Sequence, residues 1–168
     1  MKWINKEESL AFIKINRSGE VLKKLRSSYP TLVVDEHIYI CRYKFTYEGG
    51  RTYSLDYMFQ KNERCKDFIK RDSVSYNITK VDEKSFQVGE ENFNIIKYYY
   101  DEHRSFDEEH LILLNEKLGI LFIHHYWGES EELISHPEIN DEVLGQLTEK
   151  VKNDKSFYRN WDSCIWNE

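Results

Sequence analysis

Cysteine and proline are both scarce, with three of the first and two of the second in 168 residues. Cys41, Cys65 and Cys164 are widely spaced, odd in number and form no CxxC, which argues against a disulfide framework or a zinc knuckle. A reducing, cytoplasmic setting is the expectation. Excess positive charge is missing too: 24 Lys and Arg stand against 30 Asp and Glu, a formal net charge of -6. With no basic stripe to offset that balance, nucleic acid is not an expected partner. No apolar run approaches membrane-spanning length, so no membrane association is expected. Met1 to Glu8 becomes charged before an apolar segment can form, and neither a signal nor a transit peptide is expected. Also lacking are GxSxG, a glycine-rich phosphate loop, a supported SxxK, HExxH, a Cys/His zinc spacing and an EF-hand loop. No catalytic residue, metal or cofactor is assigned from sequence.

Aromatic side chains are plentiful, with Tyr 12, Phe 9 and Trp 4 spread from Trp3 to Trp166. That distribution is incompatible with a disordered chain. The length falls within the roughly 50–250 residues of one domain, and no linker or repeat divides it, so residues 1–168 are expected to form a single domain.

Asn5 with Glu8 resembles a capping box, and Leu10 with Ile13 gives helical spacing up to about Asn16. After Ser18-Gly19, Val21, Leu22 and Leu25 give a second helical stretch ending by Tyr29-Pro30. The period then changes. Tyr39, Cys41, Tyr43, Phe45 and Tyr47 alternate with polar positions, as do Tyr53, Leu55, Tyr57 and Phe59, and Gly49-Gly50 lies between them: a hairpin. Asn62 to Asp72 reads as a connecting turn or short helix. Val74, Tyr76 and Ile78 mark a strand before a polar turn at Asp82-Glu83-Lys84, followed by a short strand holding Phe86 and Val88. Gly89 to Asn92 turns the chain into a longer strand, Phe93 to Tyr100, that reads as covered on both faces, and Asp101 to Glu109 is a charged loop. Leu111–Leu114 and Ile120–Ile123 flank a turn at Asn115–Gly119, giving a second hairpin placed centrally. A helix begins near Pro137 or Asn140 and carries Val143, Leu144, Leu147 and Val151 on one stripe, and the aromatic tail from Phe157 is expected to fold back. The expected fold is α+β: an antiparallel, strongly twisted sheet of about six or seven strands with two clear hairpins, short N-terminal helices, and a C-terminal helix packed on one face.

Three constellations are candidates for function. Acidic residues gather around Phe106, Asp107, Glu108 and Glu109 and around Trp127, Glu129, Glu131 and Glu132, in segments read as loops near the ends of the central hairpin. Such a patch with aromatic neighbours suits a protein partner of basic charge. The concrete version is a non-enzymatic, immunity-type inhibitor that occludes a basic toxin or effector domain. In size, acidity and cysteine usage the chain resembles the small acidic immunity proteins of bacterial toxin systems, although no motif carries that resemblance. The second constellation is an aromatic pocket for a small ligand, lined by Tyr43, Tyr53, Tyr57, Tyr98, Tyr100, His124 and Tyr126. The third is a hydrolase cleft in which His124 and Tyr126 meet His103 or Glu109. His124 and His125, adjacent on a strand, are expected to leave opposite faces and so not to share an ion. Cys41, within an aromatic face, reads as a buried small hydrophobe rather than a nucleophile.

Overall fold

The computed structural model describes residues 9–28, 31–34, 38–46, 52–60, 68–71, 74–100 and 109–160. Its strands are β1 (Ser9–Ile15), β2 (Val21–Ser28), β3 (Thr31–Val34), β4 (Ile38–Thr46), β5 (Thr52–Gln60), β6 (Phe68–Arg71), β7 (Val74–Val88), β8 (Glu91–Tyr100), β9 (His110–Asn115), β10 (Gly119–His125) and β11 (Ser130–Ser135). Two helices follow, α1 (Asp141–Asn153) and α2 (Lys155–Tyr158). All eleven strands belong to one sheet, in the order β2-β1-β11-β10-β9-β8-β7-β6-β5-β4-β3. A further antiparallel pairing, Arg26 with Thr46 and Ser27 with Phe45, joins β2 to β4 and closes the sheet on itself. Closure removes the long unpaired edges that so wide a sheet would otherwise present to water and to other chains.

Register and alternation divide the described side chains between two faces. Phe86, Phe93, Ile95, Lys97, Leu113, Phe122, His124, Ser130 and Glu132 share one face. The helices cover it: Phe157 meets Phe86 at 5.6 Å and Tyr158 meets Phe122 at 5.1 Å between ring centroids. The α1 stripe of Leu144, Leu147 and Val151 is buried in the same core. Asn140 starts the helix by accepting from the Glu142 amide at 2.7 Å, with Asp141 and Glu142 complementing the exposed amides of the first turn. The opposite face, which closure turns inward, carries Phe12, Leu133, Glu131, Ile123, Ile112, Tyr98 and Tyr100, all buried.

The α+β character, the antiparallel sheet, the hairpin turning at Gly119 (φ 76°) and the docked C-terminal helix agree with the sequence reading. The N-terminal helices do not. Residues 9–15 and 21–28 are strands, because Leu10 and Phe12 are both fully buried at period two while Ile13 sits on the other face. Reading Leu10 with Ile13 as a helical pair passed over Phe12. The interruption at Ser18-Gly19 is a hairpin turn instead, held by the Asn16 side chain accepting from the Ser18 and Glu20 amides at 3.0 and 2.9 Å. Asp82-Glu83-Lys84 is not a turn either: β7 runs unbroken for 15 residues, with a register shift between Lys80 and Asp82. Its charges are satisfied in place, Lys80 with Glu83 and Lys84 with Asp154. Phe68–Arg71 is a strand between β5 and β7, not a turn or helix. The strand count rises accordingly to eleven from the six or seven expected. The capping residues Asn5 and Glu8, the Gly49-Gly50 turn, the loop at 101–108, and Trp161, Ile165 and Trp166 lie outside the described residues.

Phe12 separates the strand reading from the helical one. Phe12→Ala is expected to cost about 3–5 kcal/mol in a denaturant titration, the range for emptying a buried aromatic site. Leu22→Ala, at an exposed position, is expected to cost no more than about 0.5 kcal/mol. Equal effects would contradict the register of β1.

Candidate functional site

Two turns meet at one end of the sheet. Because Ile15 pairs with both Val21 and Ser130, the β1–β2 turn lies beside the β10–β11 turn. The second turn is closed by the His125 amide donating to the Glu129 carbonyl and the Gly128 amide donating to the His125 carbonyl, each at 2.9 Å. Gly128 has φ 100°, a left-handed conformation costly for other residues, and a Cβ there would meet the Arg17 side chain at 3.1 Å. Tyr126 and Trp127 stand on this turn, 60% and 45% exposed.

Beneath the turn, at the end of the sheet, a cleft of about 210 Å³ is lined by Arg17, His124, Ser130 and Arg159 together with His125, Tyr126, Gly128 and Glu129. His124 is almost fully buried, stacked on Phe122 and edge-on to Tyr158 at 4.3 Å. Its Nδ1 lies 3.0 Å from Ser130 Oγ, which accepts from Arg159 Nη2 at 3.3 Å. The guanidinium can only donate, so the Ser130 hydroxyl keeps its own proton and a second lone pair for its contact with Nδ1. His124 is held neutral, its pKa driven well below the ordinary value first by burial and then by the Arg159 charge. Burial likewise pushes the Tyr158 hydroxyl upward. Neither His124 Nε2 nor the Tyr158 hydroxyl makes a hydrogen bond among the described residues. An acyl-transfer triad needs a third group orienting the base from its far nitrogen, and among the described residues none stands at Nε2.

On the opposite face His125 stacks on Trp127 at 4.5 Å and meets His110 edge-on at 4.3 Å. Its pKa is lowered to about 3 by burial and by the neighbouring His110. The two adjacent histidines thus leave opposite faces of β10, as alternation requires.

The candidate residues divide among several environments. Glu131 and Glu132 are buried in β11, not on a loop: Glu132 binds Lys152 at 2.7 Å and Glu131 lies 4.0 Å from His125. Glu129 pairs with Lys14 and accepts from Trp127 Nε1 at 3.2 Å, and the Lys14 contact leads in holding its pKa low. The Glu109 carbonyl accepts from the Tyr126 amide at 3.1 Å. Phe106, Asp107, Glu108 and His103 lie outside the described residues. Of the pocket set, Tyr98 and Tyr100 are on the inward face, whereas His124 and Tyr126 line the cleft on the other. Tyr43 pairs with Leu55, Tyr53 with Phe45 and Tyr57 with Cys41, and their side-chain surroundings lie outside the described residues. Arg17, Ser130 and Arg159 were not singled out from sequence. Their positions share no motif spacing: the β1–β11 pairing brings Arg17 beside Ser130, and the docking of α2 on the sheet brings Arg159.

No family model matches the chain, and no match is found among curated proteins or solved structures. Among the described residues no helix is long and apolar enough to cross a membrane, and no three His, Cys, Asp or Glu side chains gather as a metal-binding set.

The two neutral histidines have a pH consequence. Both are depressed below the unfolded value of 6.5, so their burial stabilises the fold fully above that pH. Stability is lost as pH falls from 6.5 towards about 3, where the folded form of His125 takes up its proton. The melting midpoint should fall through this window, and His125→Gln should make the fall shallower. An unchanged slope in that variant would contradict the assignment.

Proposed function

We propose that this chain is a non-enzymatic protein-binding module whose partner docks on the paired β1–β2 and β10–β11 turns. One observation carries the reading. Four of the five exposed large hydrophobic side chains among the described residues, Val21, Leu22, Tyr126 and Trp127, belong to this end of the sheet, and only Ile134 lies elsewhere. Trp, Tyr and Arg are the types that dominate interface energetics, and Arg17 lies on the same side of the turns as Tyr126, which is next to Trp127 in sequence. Rigid turns in a closed sheet also present them at little ordering cost.

The form that suits the net charge of -6 is an immunity-type inhibitor occluding a basic toxin or effector domain. Glu109 lies beside the aromatic pair and, with the net charge of -6, would supply the steering field, while Glu129 is ion-paired with Lys14 and Glu131 and Glu132 are engaged inside the fold. A second reading, a small-ligand binder, is favoured by the closure of the sheet. Closed antiparallel sheets enclose ligands, and Tyr98 and Tyr100 sit on the inward face.

Affinity purification from the native cell tests the first reading. The unsubstituted chain should retain a stoichiometric protein partner, and Tyr126→Ala with Trp127→Ala should weaken that complex by roughly tenfold or more. Ile134→Ala should leave it intact, and for a basic partner Glu129→Lys should slow association most at low salt. An equally tight complex in the double aromatic variant would sink the proposed surface.

A further inference from the structure

Arg17 and Arg159 have no carboxylate partner among the described residues, although the chain carries a net charge of -6. Both line the same cleft, one from the β1–β2 turn and one from the segment after α2, across more than a hundred residues of sequence. Two guanidiniums with no carboxylate beside them among the described residues of an acidic protein, brought to one concavity by tertiary structure, mark a place for an anion. We propose that this cleft binds the phosphate group of a small phosphomonoester, clamped between Arg17 and Arg159.

The chemistry favours phosphate over carboxylate. A carboxylate is satisfied by one guanidinium fork, whereas a phosphomonoester carries nearly two charges and three acceptor oxygens and can engage two forks at once. Ser130 acts as a positioning residue. It takes one donor of Arg159 at 3.3 Å and is itself tied to His124 at 3.0 Å, so the guanidinium is steadied from the buried side through one of its five N–H groups. Arg159 also lies over the Tyr158 ring, 5.4 Å from its centroid. Arg17 is steadied by its aliphatic stem, which packs where Gly128 lacks a side chain.

The other charges around the cleft do not oppose an anion. Glu129, the carboxylate lining it, is ion-paired with Lys14, and Glu132, at the next position on that face of β11, is ion-paired with Lys152. His124 is neutral. A space of about 210 Å³ admits a phosphate group together with a small organic substituent. This inference does not rest on the protein-binding reading, although Arg17 and Tyr126 border both the cleft and the proposed docking surface; binding of a small phosphomonoester to the chain alone reads the cleft.

Isothermal titration calorimetry of the full chain with phenyl phosphate, inorganic phosphate and benzoate tests the proposal. Phenyl phosphate should bind saturably at one site, roughly tenfold or more tighter than benzoate, a difference of about 1.4 kcal/mol. Arg17→Ala and Arg159→Ala should each weaken it by roughly tenfold, and the double variant should abolish it, with the melting midpoint unchanged because both side chains are exposed. Ser130→Ala should weaken binding severalfold and Ser130→Thr should restore it, which a purely structural role for this hydroxyl would not produce. Ile134→Ala, remote from the cleft, should leave binding unchanged. Benzoate binding as tightly as phenyl phosphate, undiminished binding in the double arginine variant, or no saturable heat up to roughly 10 mM phenyl phosphate would each overturn the proposal.

Discussion

The antiparallel pairing of β1 with β11 is the contact on which the rest of this molecule depends. It joins residues 11–15 to residues 130–135, the first strand to the last, through the partners Phe12 with Leu133 and Ile15 with Ser130. Elsewhere the strands largely pair with their sequence neighbours, which is cheap in loop-closure entropy. This long-range pairing and that of β2 with β4 are what turn a meander into a closed sheet. Once β1 is seated against β11, Phe12 and Leu10 are sealed on the inward face, and Arg17 is carried to within reach of Gly128.

A second constraint follows from the two faces of β10. His124 and His125 are successive residues, so each is committed to a different environment by the pleat of the strand. Both are neutral, yet for different neighbours: His124 answers to Ser130, Tyr158 and Arg159 beneath the helices, and His125 to His110, Trp127 and Glu131 on the other side. One short strand end thereby supports both the floor of the cleft and the base of the exposed aromatic turn. Lys97 shows the same economy in the core. It is fully buried, donates to the Asn160 carbonyl at 3.3 Å, and rests over the Phe157 ring, tying the segment after α2 to the sheet that positions Arg159.

Sequence patterning was informative where a single local rule applied. Alternation in residues 39–59, the Asn115–Gly119 turn and the Leu144, Leu147, Val151 stripe each specify their element without help from distant residues. It misled where neighbours far along the chain decide. Leu10, Phe12 and Ile13 fit either period, and pairing with β2 and β11 selects the extended one. The run Glu129 to Glu132 looked like a solvated loop because charge is usually left in water. Burial of Glu132 depends on Lys152 one helix away, and Glu131 is buried near His125. The cleft was illegible for the same reason. Arg17, Ser130 and Arg159 belong to three separate segments, and their convergence is a property of strand pairing and helix docking together, not of any local pattern.

Backbone amide and side-chain nuclear Overhauser measurements across β1 test this account most directly. Cross-strand contacts between Phe12 and Leu133 and between Arg26 and Thr46, with strong sequential Hα-to-amide contacts through residues 10–15, are the expected result. Medium-range contacts from Leu10 to Ile13, with no cross-strand contact to Leu133, would restore the helical reading of the N-terminus and remove both the closed sheet and the cleft that hangs from it.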